Sequence, residues 1–158
     1  MAIKLVRSAG SVHEPAVINL PGSGVIKPNS VVIFDVSSGN VSVSATTSAT
    51  GSSIVGVSLD YIQGVNEPTS FVRVIPFVPG QLWECDVLNV INTAQLMKRF
   101  RLYDSVTVEN TSYDQTLSIN GVFFCYAISG ASTGSAKVIG EFLKTPRQMV
   151  NPGQAFWQ

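Results

Sequence analysis

His13 is the only histidine in the chain, so a Ser-His-Asp or Cys-His site would have to use it. It stands beside Glu14 and Pro15, in a segment expected to be mobile or bound at an edge of the fold, where a surface histidine is the simpler reading. A histidine-based zinc or iron site needs two or more such ligands, and the count excludes one. Glu84 and Asp86 could in principle form the carboxylate pair of a glycosidase. Two residues apart on a strand, they share one face, which is the ordinary arrangement of a solvent-facing side. Gly22-Ser23-Gly24 lies between β-type runs with no helix after it, so it offers phosphate no helix N-terminus. No nucleotide-binding loop or nucleophile elbow occurs. These residues predict no catalytic, cofactor or metal site, and the expectation is a protein that is not an enzyme.

Two cysteines, Cys85 and Cys125, are too few for a disulfide framework or a zinc site. Cys85 alternates with Trp83 and Val87, and Cys125 with Phe123 and Ala127, so both are expected as small buried hydrophobes with free thiols. A bridge would need adjacent strands with Cα atoms within about 7 Å. Trp83 shares the Cys85 face and is expected in the core. Tyr103, Tyr113 and Tyr126 are the remaining aromatics that could stack on a sugar ring.

The composition narrows the partners. Ten basic and ten acidic residues give zero net charge. A nucleic-acid groove needs clustered Lys and Arg, and only Lys98-Arg99 with Arg101 come close. Charged residues make up 13%, against about 25% in an ordinary domain. Ser and Thr replace them, and such a surface is easy to desolvate. No apolar run approaches the roughly 20 residues of a membrane span, and residues 1–7 lack a secretory apolar region, so neither a membrane nor a cleaved signal is expected.

The elements that must position these residues are mostly strands. Period-two alternation and β-branched runs recur at Ala16–Leu20, Val31–Val36, Val41–Ser44, Ile54–Tyr61, Phe71–Ile75, Gln81–Leu88, Arg101–Glu109, Val122–Ile128 and Lys137–Leu143. Val31–Val36 is expected as a central strand. In Ile54–Tyr61, strict alternation would put Val55 and Val57 on one face and Ile54 and Gly56 on the other. Asn120-Gly121 predicts a tight hairpin, and Asn110–Asp114 a loop. Asn92–Phe100 is the one helix candidate, capped by Asn92 or Thr93. The fold class expected is all-β: a small barrel or sandwich of about ten short strands, with one short helix and extended termini.

Three regions follow: an N-terminal arm over 1–14, a β domain over 15–143, and a C-terminal tail over 144–158. An internal echo raises a division of the domain into units at about 15–66 and 67–143. Thr50–Leu59 resembles Thr133–Leu143, and Val32–Asp35 resembles Arg101–Asp104. A duplicated unit or two loop-to-strand entries with the same turn chemistry would both produce it. The tail ends in Phe156-Trp157, and large aromatics at a free end need something to bury them. Met149, Phe156 and Trp157 are therefore the candidate partner-binding residues.

The succession Gly24–Val32, Ile54–Leu59 and Phe71–Val74 resembles the small β modules of tailed-phage capsid decoration, or cement, proteins. The stretch from Val122 to Phe142 repeats that build. The insert around Asn89–Arg101 and the aromatic tail set this chain apart from simpler modules. The resemblance implies a structural virion protein, made in the host cytoplasm, that sits on the capsid surface and stabilises contacts between capsomers. It also implies the major capsid protein as partner and a homo-oligomer, with a trimer favoured, whose arm and tail reach neighbours. The alternative is a carbohydrate-binding or adhesin-like β module, as in a phage fibre, which requires an exposed aromatic platform. An enzyme using His13 is the third reading.

Overall fold

Thirteen short strands carry most of the described residues of the computed structural model, which are 3–7, 16–43, 53–64, 70–114, 121–129 and 137–143. The protein is all-β. In chain order the strands are β1 Lys4–Arg7, β2 Ile18–Pro21, β3 Gly24–Ile26, β4 Val31–Asp35, β5 Asn40–Val43, β6 Ile54–Ser58 and β7 Ile62–Gly64. They continue as β8 Phe71–Pro76, β9 Leu82–Val87, β10 Arg99–Leu102, β11 Thr107–Asp114, β12 Phe123–Ile128 and β13 Lys137–Phe142.

The second half forms a closed five-stranded barrel, β9-β13-β12-β10-β11, in which β11 returns to β9 in parallel. The first half forms a five-stranded sheet, β2-β8-β6-β4-β5, whose edges meet at a parallel bridge between Gly22 and Val41. The two halves share one pairing scheme, in which β2, β4, β5, β6 and β8 correspond to β9, β10, β11, β12 and β13. Even the closing hydrogen bonds correspond: Ser23 N donates to Val41 O at 2.9 Å, and Leu88 N to Val108 O at 3.0 Å.

The sequence echo follows this correspondence only in part: Val32–Asp35 and Arg101–Asp104 fall on the counterparts β4 and β10. It pairs Ile54–Leu59 with the β13 segment, whereas the topological counterpart of β6 is β12. A unit boundary near residue 66 also fails, because β8 (Phe71–Pro76) completes the first sheet. The N-terminal arm is corrected in part: Lys4–Arg7 pairs with β9 of its own barrel, and Ile3 is buried in the core.

Two cores result. The smaller lies inside the first sheet, around Ile26, Val32, Val41, Val55, Val72 and Val74. The larger joins Val31, Ile54 and Val57 on the opposite side of that sheet to Trp83, Phe100, Phe123 and Phe142 of the barrel. Strict alternation fails in β6 because its register against β4 jumps from Val32–Gly56 to Ile33–Ile54. This bulge turns Ile54 and Val57 toward the larger core and Val55 toward the smaller. All five β6 residues are buried as a result. Val31–Asp35 is an interior strand of its sheet, as its β-branched run predicts.

The two-turn helix expected over Asn92–Phe100 is instead a single 3-10 turn, Thr93–Gln95. Asn92 does cap it, and Gln95 caps back to the Asn92 backbone. Leu96 is already extended, Met97 takes a positive φ of 59°, and Arg99 enters β10. Pairing with β12 outweighs the marginal stability of a two-turn helix. The loop expected at Asn110–Asp114 is also strand, with a register jump against β10 that absorbs its polar residues. The Asn120-Gly121 hairpin involves residues 115–120, outside the described residues; β12 itself pairs with β10 and β13.

Candidate functional site

His13, Met149, Phe156 and Trp157 lie outside the described residues. The chemistry-bearing residues that are described are placed as follows. Glu84 accepts a hydrogen bond from the Ser129 hydroxyl at 2.5 Å and lies 3.4 Å from the Lys137 ammonium. These partners, Ser129 first and the lysines after it, hold its carboxyl below the usual range. Asp86, expected on a solvent face, is buried where β9 meets β11 and β13. Cys85 and Cys125 are both buried and free. Their strands flank β13, so they stand two interstrand spacings of about 4.8 Å apart rather than on adjacent strands. Burial pushes the Cys85 thiol well up and the Cys125 thiol to about 11. Neither is a nucleophile at neutral pH. Among the described residues no group of three or more His, Cys, Asp or Glu is placed to hold a metal ion.

What the fold does present is shaped, apolar surface. The connection from β9 to β10 exposes Leu88, Val90 and Met97, with Val90 66% and Met97 60% accessible. Exposed apolar side chains on a surface loop are common; this loop differs in how firmly it is held. Asn110 is buried beneath it and donates its amide to Val90 O at 3.1 Å and to Gln95 Oε1 at 3.3 Å. The Gln95 amide donates to Asn110 O at 2.9 Å. Ile91 is buried in the larger core, and Met97 N donates to Cys125 O at 2.8 Å. The loop is therefore pinned by side-chain amides at its centre and by the barrel at its end.

The adjoining outer face of the barrel is amphipathic. Arg99, Phe124 and Glu141 are directly opposite one another across β10, β12 and β13. Tyr126 donates its hydroxyl to Glu141 Oε2 at 3.0 Å, and its ring meets Phe124 edge-on, centroids 5.2 Å apart. Arg101 pairs with Glu109 at 2.9 Å. Lys98 and Arg99 have no ion-pair partner among the described side chains, and Arg99 stands directly opposite Asp114 in the β10–β11 register.

No protein-family model matches this chain, and no curated protein matches it in sequence.

Of the aromatics that could stack on a sugar, Trp83 is core, in edge contact with Phe77 and Phe142. Tyr126 turns an edge to Phe124 and ties its hydroxyl to Glu141, so it offers no flat platform with that neighbour. Tyr103 is exposed in the β10–β11 turn, and the Tyr113 side chain is outside the described residues. Sequence reasoning marked 89–101 as an insert but missed the pinned loop. The available signal was the Asn92-x-x-Gln95 spacing of a capping box; nothing in the sequence pointed to Asn110 as its buried support.

Proposed function

We propose that this protein is a structural virion component that binds the outside of a phage capsid and stabilises contacts between capsomers. The observation that carries the reading is the pinned apolar loop 88–97 on a charge-poor β scaffold. A loop already ordered loses little conformational freedom on docking, so its apolar area converts more fully into affinity. Low surface charge makes the surrounding contact easy to desolvate. The partner is the major capsid protein, the decorating unit is a homo-oligomer with a trimer favoured, and the location is the capsid surface after synthesis in the host cytoplasm.

The test is add-back to purified particles that lack the protein, with bound copies counted by quantitative mass spectrometry. The wild-type chain should bind at a copy number comparable to the coat protein. The double variant Val90→Asp, Met97→Asp, checked for folding by circular dichroism, should bind at least about tenfold more weakly. Equal binding by the two proteins, or no binding by either, overturns the reading.

A carbohydrate-binding module is the second reading, favoured by the exposure of Phe71 (62%) and Tyr61 (57%). Specific signal on a glycan array that is lost in Phe71→Ala would select it.

A further inference from the structure

The two halves of the chain meet in a contact that has a direction. The β10–β11 turn of the second half reaches the start of β4 in the first, where Val31 N donates to Ser105 O at 2.7 Å. Around that point the outward side chains of the first sheet are Val31, Ile54 and Val57, buried in the larger core, and Ile33, packed against it. The first half thus contributes a strand face, and the second half contributes a hairpin turn.

Because both halves have the same pairing scheme, each also owns the counterpart of what the other contributes. The second half has the corresponding strand face, on β10 and β12, carrying Arg99, Phe124 and Tyr126. The first half has the corresponding hairpin turn, between β4 and β5. Neither is covered by the other described residues. In the turn Val36 is 86% exposed, and Tyr126 on the face is 40% exposed.

We propose that these two surfaces meet between copies of the protein: the β4–β5 hairpin of one copy docks on the Arg99–Phe124 face of the next. The chemistry is complementary. The hairpin offers apolar Val36 beside the Asp35 carboxylate, which is turned into a fixed anion by hydrogen bonds from Ser37 N, Ser37 Oγ and Ser38 Oγ at 2.7–2.9 Å. The face offers the cations Lys98 and Arg99 beside the Phe124 and Tyr126 rings, with Glu141, bonded by Tyr126, at its β13 edge. Arg and Tyr are the side chains that interfaces favour, and opposite charges set the register. The contact joins different surfaces on the two partners, so it is head-to-tail and propagates until a ring closes. It involves the protein alone and does not depend on the capsid-binding reading.

Sedimentation velocity of the full chain at tens of micromolar tests it. The wild type should sediment as an oligomer. Val36→Glu, which spoils the hairpin, and Arg99→Glu, which spoils the face, should each sediment as a monomer, with association weakened at least tenfold. Tyr126→Glu replaces Arg99→Glu if the latter loses its near-ultraviolet dichroism. A head-to-tail contact makes one further demand: an equimolar mixture of the hairpin variant and the face variant should recover a dimer, since one good hairpin meets one good face. A monomeric wild type, a folded variant that keeps the wild-type mass, or a mixture that stays monomeric overturns the proposal. A monomeric wild type that still binds particles would leave capsid attachment through loop 88–97 standing.

Discussion

The Gln95 side-chain amide donates to the backbone carbonyl of Asn110 at 2.9 Å, and the Asn110 amide returns a bond to Gln95 Oε1 at 3.3 Å. This reciprocal pair is buried and lies under the loop that carries Val90 and Met97. Asn110→Ala removes the donor to Val90 O and leaves buried acceptors unpaired. A loss of roughly 1–3 kcal/mol is expected, seen as a lower urea midpoint at constant m value. Asn110→Asp should cost more, because an acceptor oxygen would then face the Val90 carbonyl.

Gly140 and Gly56 stand where neighbouring chain leaves no room for a Cβ. At Gly140 it would overlap the Phe124 carbonyl and the Phe123 ring; at Gly56 it would overlap the Ile75 carbonyl. Backbone cannot swing aside as a flexible side chain can. Gly140→Ala and Gly56→Ala should each lose about 1–3 kcal/mol or more. Gly24→Ala meets nothing within 4 Å but has φ +73°, so its cost is backbone strain of about 1–2 kcal/mol. Thermal melts should rank Gly24→Ala as the mildest of the three.

The thiols should be silent in the folded protein. With Cys125 at about 11 and Cys85 well above its ordinary value, the Cys125 thiolate fraction at pH 8 is about one in a thousand before access is considered. Ellman's reagent should titrate neither cysteine in the native state and both in guanidinium chloride, and a reducing agent should leave the melting temperature unchanged. Fewer than two thiols after denaturation would mean that the pair is bridged.

The carboxylates make the fold acid-sensitive in a defined direction. Glu84, bonded by Ser129, and Asp60, bonded by the Arg73 side chain and N–H, both titrate below their ordinary values. A lowered folded value means stabilisation that is present above the unfolded value and lost as pH falls through the folded one. The urea midpoint should therefore decline as pH drops from about 5 toward 2. Ser129→Ala removes the largest cause of the Glu84 shift and should make that decline shallower.

The β class, the interior placement of Val31–Asp35, the burial of Trp83, Cys85 and Cys125, and a cap at Asn92 or Thr93 were all legible in the chain, because each depends on near neighbours. Alternation at period two assigns faces, β-branched runs favour extended backbone, and a capping box spans four residues. Tertiary structure alone decided the rest. The helix read into Asn92–Phe100 yields after one turn because Met97 and Lys98 bond to β12, a partner remote in sequence. Asp86 is buried, although its alternation marks it as solvent-facing, between its ladder partners Thr107 on β11 and Lys137 on β13, both remote in sequence. The bulge in β6 exists only once β4 lies beside it. The duplicated pairing scheme was hidden for the same reason: strand order is a property of long-range hydrogen bonds, which any suitable alternating segments can make, so two halves can share an architecture while their sequences echo one another at β4 and β10 but at mismatched strands elsewhere.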